Sequence, residues 1–215
     1  MAIFAHLPNM IIVDPITEKH AETLADYFIN SKDPRSIYFR LRRTPVPLLR
    51  VLDRVRDARR LSPVDPIIIN PDQQNSGLGF VVMGTVAAKL ALDCASNWAL
   101  GSSIIILSVL GDGCNEELGD FIQNCETICT IEDDSGALKQ YVQDFLLNMM
   151  NKGSFDISVH RPAPLLVSKT VTKPSPSFRT FAACAAFHGF TSEGMQKLLE
   201  ESLTGRGQAG LGRTE

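Results

Sequence analysis

Residues 77–111 form an apolar stretch that constrains the fold of this chain more than any other segment. Its only charged residues, Lys89 and Asp93, lie four positions apart, so on a helix they would share one face and could pair. Because they interrupt the stretch, no run of about 18 apolar residues remains, and we expect no membrane span and no membrane partner. The stretch predicts a buried core helix followed by a second apolar segment.

The composition is that of a folded globular protein. A chain of 215 residues can form one domain, or two small ones, with a sizeable core. Hydrophobic residues make up 44% and charged residues 21%, which is typical of globular proteins. No N-terminal segment has the pattern of a secretion signal, and the five scattered cysteines favour reduced thiols in a cytosolic compartment.

Charge is distributed unevenly along the chain, although the formal net charge is only -3. Residues 35–60 contain nine arginines against Asp53 and Asp57, and residues 112–134 contain eight acidic residues and no lysine or arginine. Guanidinium groups stay charged at physiological pH and bind phosphate through a planar fork of donors, so the arginine cluster predicts a nucleic-acid surface. The alternatives are a solvated helix face with Asp53–Arg56 and Asp57–Arg60 pairs, or a surface for a protein partner.

Helical spacing of apolar residues predicts a mainly α fold, with a multi-helix globular core and few short strands. The clearest case is the helix predicted over 138–149 by Leu138, Tyr141, Val142, Phe145, Leu146 and Met149. Further helices are predicted near 15–31, 45–60, 177–189 and 192–203. We divide the chain into an N-terminal helical region with the arginine cluster (1–70), a helical core (71–204) and a flexible Gly-rich tail (205–215).

Motifs for catalysis, cofactors or metals are weak, and we expect a protein that is not an enzyme, without cofactor or metal. Gly111-Asp112-Gly113 resembles the start of the thiamine-diphosphate motif, but the paired asparagines that follow in that motif are missing from this chain. Cys114, Cys125 and Cys129 lack a fourth ligand at zinc-site spacing, and Cys184 and His188 lack a third catalytic group.

Residues 138–187 are similar to the coat proteins of flexible filamentous plant RNA viruses. The shared order is an apolar helix (LKQYVQDFLLNMM), an NKGS turn, an extended piece and a Ser-Phe-Arg segment that opens another helix. The resemblance implies that Ser154 and Arg179 contact RNA phosphate. Together with the arginine cluster, the predicted nucleic-acid-binding residues are Arg179, Ser154, Arg42, Arg43, Arg50, Arg54 and Lys173.

We therefore predict a self-associating protein that coats single-stranded RNA without sequence specificity, located in a virion or the host cytoplasm. Copies would associate through the basic segment 35–60 and the acidic segment 112–134. The alternative function is a non-enzymatic adaptor or assembly subunit of a larger complex that uses the same charged surfaces.

Overall fold

The computed structural model describes residues 9–41, 50–69, 76–97, 102–111, 115–132, 137–151, 165–169 and 191–209. These residues form an α/β fold with eight strands and six helices, so the predicted mainly α fold is wrong. The strands are β1 Met10–Val13, β2 Ser36–Phe39, β3 Ile67–Ile69, β4 Ser76–Met83, β5 Ser102–Leu107, β6 Val109–Leu110, β7 Cys125–Glu132 and β8 Leu165–Lys169.

The helices alternate with these strands along much of the chain. Their bounds are α1 Glu18–Asn30, α2 Arg50–Arg59, α3 Thr85–Asn97, α4 Asn115–Gln123, α5 Ala137–Asn151 and α6 Ser192–Ala209. The helix predicted over 138–149 is confirmed as α5, whereas the one predicted near 177–189 lies outside the described residues. Among the described residues, no helix combines the length and apolar character that a bilayer span requires.

The larger sheet has the strand order β3-β5-β4-β7-β8. Strands β5, β4, β7 and β8 run parallel, and β3 pairs antiparallel with β5 at one edge. Helices cover both faces: α3 and α6 contribute to the core on one side, and α4 and α5 to the core on the other. Parallel strands buried on both faces are continuously apolar rather than alternating. For this reason the apolar segment 102–107, in which every residue is buried, is a strand.

The smaller sheet has the order β2-β1-β6, with β1 parallel to β2 and antiparallel to β6. Strand β6 follows β5 after a single residue, Ser108, so one continuous segment contributes a strand to each sheet. Helix α1 packs Leu24 and Phe28 against β1 in a third, smaller core. The predicted domain boundary near residue 70 stays a prediction.

At Gly79, side chains from the end of α4 and the start of β7 lie close to the backbone of β4. A Cβ added there would lie 2.4 Å from Cys125 Sγ and 2.9 Å from Phe121 Cε1. At neighbouring Gly77, the same atom would have nothing within 4 Å. The missing side chain at Gly79 therefore lets the end of α4 and the start of β7 pack against β4.

Candidate functional site

An ion pair with a buried carboxylate joins the ends of β1 and β2, beside the junction between the two sheets. Asp14 is 1% exposed, its Oδ2 lies 2.9 Å from Arg40 Nη1, and its backbone N–H donates to the Ser108 carbonyl at 2.9 Å. The backbone N–H of Arg40 donates to the Val13 carbonyl at 2.8 Å. The pair therefore fixes the ends of β1 and β2 against the junction between β5 and β6.

The carboxyl ends of β4 and β7 lie side by side, with Met83 in register with Glu132. In open α/β sheets, ligands bind in the crevice where strand order reverses, and here that crevice lies between these two strands. Gly84, at φ 89, makes the turn out of β4, and its carbonyl accepts a hydrogen bond from the Ala88 N–H in the first turn of α3.

The side chain of Glu132, the last residue of β7, caps the N-terminus of α5. Its side chain is buried, and its two carboxylate oxygens accept hydrogen bonds from the Leu138 N–H at 3.0 Å and the Lys139 N–H at 3.1 Å. Free N–H groups at a helix start would attract an anion, and here the carboxylate of the protein supplies it. The contact is therefore structural and fixes α5 against β7.

We expect Glu132→Gln to lower the free energy of unfolding by about 1–3 kcal/mol, because the amide keeps one acceptor oxygen and turns donors toward the helix N–H groups. Urea unfolding followed by circular dichroism measures this loss. Glu126→Gln on the same strand is the matched control, since Glu126 is exposed. Equal losses in the two variants would show that the cap contributes nothing.

A cavity of about 310 Å³ lies between α1 and α2. Helix α2 presents one face to it, because Asp53, Arg56 and Asp57 follow the three- and four-residue spacing of a helix face. Arg60, the residue after α2, adopts a left-handed backbone conformation with φ 53 and also lines the cavity. Lys19, His20 and Thr23 of α1 line the opposite wall. The cavity is therefore enclosed mainly by charged and polar side chains.

His20 is a buried titratable group of this cavity, with 2% of its surface exposed. Its Nε2–H donates to the Pro63 carbonyl at 2.9 Å, which leaves Nδ1 as an acceptor that has no hydrogen-bond partner among the described residues. Burial lowers the pKa of His20 to about 4, and the nearby Arg56 charge adds to this shift. The imidazole is therefore neutral at pH 7.

The two acidic residues of the α2 face already have partners on α1 or beside it. Asp53 accepts a hydrogen bond from Thr17 Oγ1 at 2.6 Å, and Asp57 pairs with Lys19 Nζ at 2.7 Å. Thr17 also caps α1 by accepting from the His20 N–H at 3.1 Å. Among the described residues, Asp53 and Asp57 therefore do not form the ion pairs with Arg56 and Arg60 that a solvated helix face would have.

Several described arginines of segment 35–60 have partners within the chain. Arg35 pairs with Asp33, Arg40 pairs with Asp14, and Arg59 donates to the Ile68 carbonyl at 2.8 Å. Arg54 is exposed on α2, and Arg50 begins that helix. The other predicted nucleic-acid-binding residues lie outside the described part of the chain: Arg42, Arg43, Ser154, Lys173 and Arg179.

The described residues contain no group of three or more His, Cys, Asp or Glu side chains that could hold a metal ion. Cys94, Cys125 and Cys129 are buried free thiols, and burial raises the pKa of Cys129. Gly111 of the motif that resembles a thiamine-diphosphate site makes a turn at φ 94, and its carbonyl accepts a hydrogen bond from Arg35 Nη1 at 2.5 Å. Asp112 and Gly113 lie outside the described residues.

Solved structures of one enzyme class share this architecture. A split-gene transketolase, crystallised as an inactive β4 tetramer, matches 94% of this chain with a TM-score of 0.65 and 20% identity. The chain has a transketolase-like fold. Transketolase from Pichia stipitis (H261F mutant) matches 94% of it with a TM-score of 0.63 and 13% identity, and transketolase from Campylobacter jejuni matches 93% with a TM-score of 0.58 and 9% identity.

The chain spans 60% of the split-gene transketolase chain, and 26% and 27% of the Pichia and Campylobacter chains. No family model and no curated protein matches the sequence. The transketolase-like fold overturns the predicted resemblance to viral coat proteins. The predicted RNA-coating function is wrong as well, and so are the predictions of single-stranded RNA as the partner and of association through the charged segments.

Proposed function

We propose that this chain is a subunit of a transketolase-type enzyme and works in association with other transketolase-type chains. The observation that carries this proposal is the match of 94% of the chain to a split-gene transketolase, an enzyme made from separate chains. The crystallised tetramer of that chain is described as inactive, which supports a role in which the chain completes an assembly rather than acting alone.

Ketose phosphates are the substrate class that we propose for the assembly. Pichia stipitis transketolase has been crystallised with sedoheptulose-7-phosphate and, in mutant forms, with fructose-6-phosphate and xylulose-5-phosphate. Because this chain spans 26–27% of those chains, we assign the chemistry to the assembly. The chain itself would contribute the α/β scaffold that the Asp14–Arg40 pair holds together.

Mixing this chain with a transketolase-type chain that lacks the corresponding region tests the proposal. We expect light scattering to show a complex heavier than either component, and ketol transfer from xylulose-5-phosphate to appear only in the mixture. Each chain assayed alone is the control, because each would carry part of the enzyme. If the chain remains at its own mass of 23.6 kDa in the mixture and adds no activity, the proposal is wrong.

A further inference from the structure

Strand β2 lies at an edge of the smaller sheet, where β1 is its neighbour on one side. In a parallel pair, alternate residues of a strand turn their backbone N–H and C=O groups toward the neighbour. Ser36 donates its N–H to the Asn9 carbonyl at 3.0 Å, and Arg40 donates to the Val13 carbonyl at 2.8 Å. By this alternation Tyr38, midway between Ser36 and Arg40, also faces β1.

Ile37 and Phe39 therefore direct their N–H and C=O groups away from β1. These groups have no hydrogen-bond partner among the residues that the structure describes. Unpaired strand edges bind other strands, and proteins usually protect them with charged residues, proline or a bulge. Strand β2 has none of these protections, because residues 36–39 contain no charge and no proline and the register with β1 is unbroken.

The charges at the two ends of β2 are neutralised within the chain. Arg35 pairs with Asp33 before the strand, and Arg40 pairs with Asp14 after it. An approaching strand would therefore meet backbone polar groups and uncharged side chains along this edge.

The side chains of β2 are apolar on both faces of the sheet and are only partly covered. Tyr38 packs against the core formed with α4 and α5, whereas Ile37 and Phe39 pack against the core formed with α1. All three stay partly exposed, and Leu41 beyond the strand is 68% exposed. A strand with apolar residues on both faces would cover these side chains from the open side.

We propose that the open edge of β2 binds a strand of the transketolase-type partner chain, and that this strand extends the smaller sheet. Strand addition here rests on the function proposed above, which supplies the partner. This chain spans 60% of the split-gene transketolase chain, so a partner of that type can carry strands without a counterpart in this chain. Backbone hydrogen bonds would give the affinity, and the apolar side chains on both faces would select the strand.

Hydrogen exchange of this chain, free and mixed with a transketolase-type chain that lacks the corresponding region, tests the edge. We expect the backbone N–H groups of Ile37 and Phe39 to exchange at least about a hundredfold more slowly in the complex, because they become hydrogen-bonded. The Tyr38 N–H is the internal control, since it faces β1 in both states and should slow by a smaller factor. Light scattering on the same samples shows whether the complex has formed.

Ile37→Pro removes the outward N–H and places a ring in the path of an added strand. Proline is tolerated at an edge position whose N–H faces away from the neighbouring strand, so the variant should fold. Ile37→Ala is the matched control, because it loses the same side-chain contacts but keeps the N–H. We expect Ile37→Pro to raise the dissociation constant of the complex at least about tenfold more than Ile37→Ala does.

The outcomes separate this proposal from the proposed function. A complex in which the Ile37 and Phe39 amides exchange as fast as in the free chain, or equal dissociation constants for the two variants, would overturn the added strand alone. Protection of these amides in the chain alone, increasing with its concentration, would assign the edge to a second copy and also overturn the proposal. Absence of any complex would overturn the proposed function and the added strand together.

Discussion

Lowering the pH from 6.5 to 4 is expected to remove roughly 3 kcal/mol from the free energy of unfolding through His20 alone. Burial lowers the pKa of His20 from 6.5 to about 4 in the folded protein. In this pH range the unfolded chain binds a proton at His20 that the folded chain excludes. The stability contributed by neutral His20 is therefore complete above pH 6.5 and is lost as the pH falls toward 4.

Urea unfolding at several pH values between 7.5 and 4 measures this effect in the wild type and in His20→Phe. The variant loses the hydrogen bond to the Pro63 carbonyl, so we expect lower stability at pH 7.5 but a flatter dependence on pH. Asp33 does not confound the comparison, because hydrogen bonds from Arg35 lower its pKa to about 2 and its contribution is lost at more acidic pH. Equal pH slopes in the two proteins would rule out His20 as the responsible group.

Gly79→Ala is expected to lower the free energy of unfolding by about 1–3 kcal/mol, as overpacking does in a closely packed core. The new methyl group would lie 2.4 Å from Cys125 Sγ and 2.9 Å from Phe121 Cε1, so α4 would have to move away from the sheet. Gly77→Ala on the same strand is the matched control, because its methyl group has nothing within 4 Å.

Chemical denaturation of both glycine variants provides the comparison. We expect Gly77→Ala to stay within about 0.5 kcal/mol of the wild type, as open positions usually do. A Gly79→Ala/Cys125→Ala double variant should recover part of the loss, because it removes the nearest of the clashing atoms. Similar stability of Gly77→Ala and Gly79→Ala would show that the contact between α4 and β4 tolerates an added methyl group.

Local helical patterns could be predicted from the sequence, and the sheet could not. The spacing of apolar residues in 138–149 predicted α5, and the pairing of Lys89 with Asp93 within one helix is confirmed, with Nζ 2.6 Å from Asp93 Oδ2. The strands β4 and β5 were missed because their residues are apolar on both faces. Without alternation, such a run cannot be distinguished from a buried helix by periodicity alone.

The arginine cluster shows what a count of charges along the sequence cannot predict. Counting charges along 35–60 does not reveal which groups neutralise them, and some of those groups come from distant segments. Asp14 lies 26 residues from Arg40, and Lys19 lies 38 residues from Asp57. His20 was missed as a site residue, although its spacing with Leu24 and Phe28 places it on the buried face of α1 and could have indicated it.

The junction at Ser108 also affects how the chain folds during synthesis. Ile12 pairs with Leu110, so about 100 residues must leave the ribosome before β1 gains its second neighbour. At ordinary elongation rates this takes about 5–20 seconds. Two short parallel strands are not stable without further partners, so β1 and β2 do not form a stable sheet during that interval.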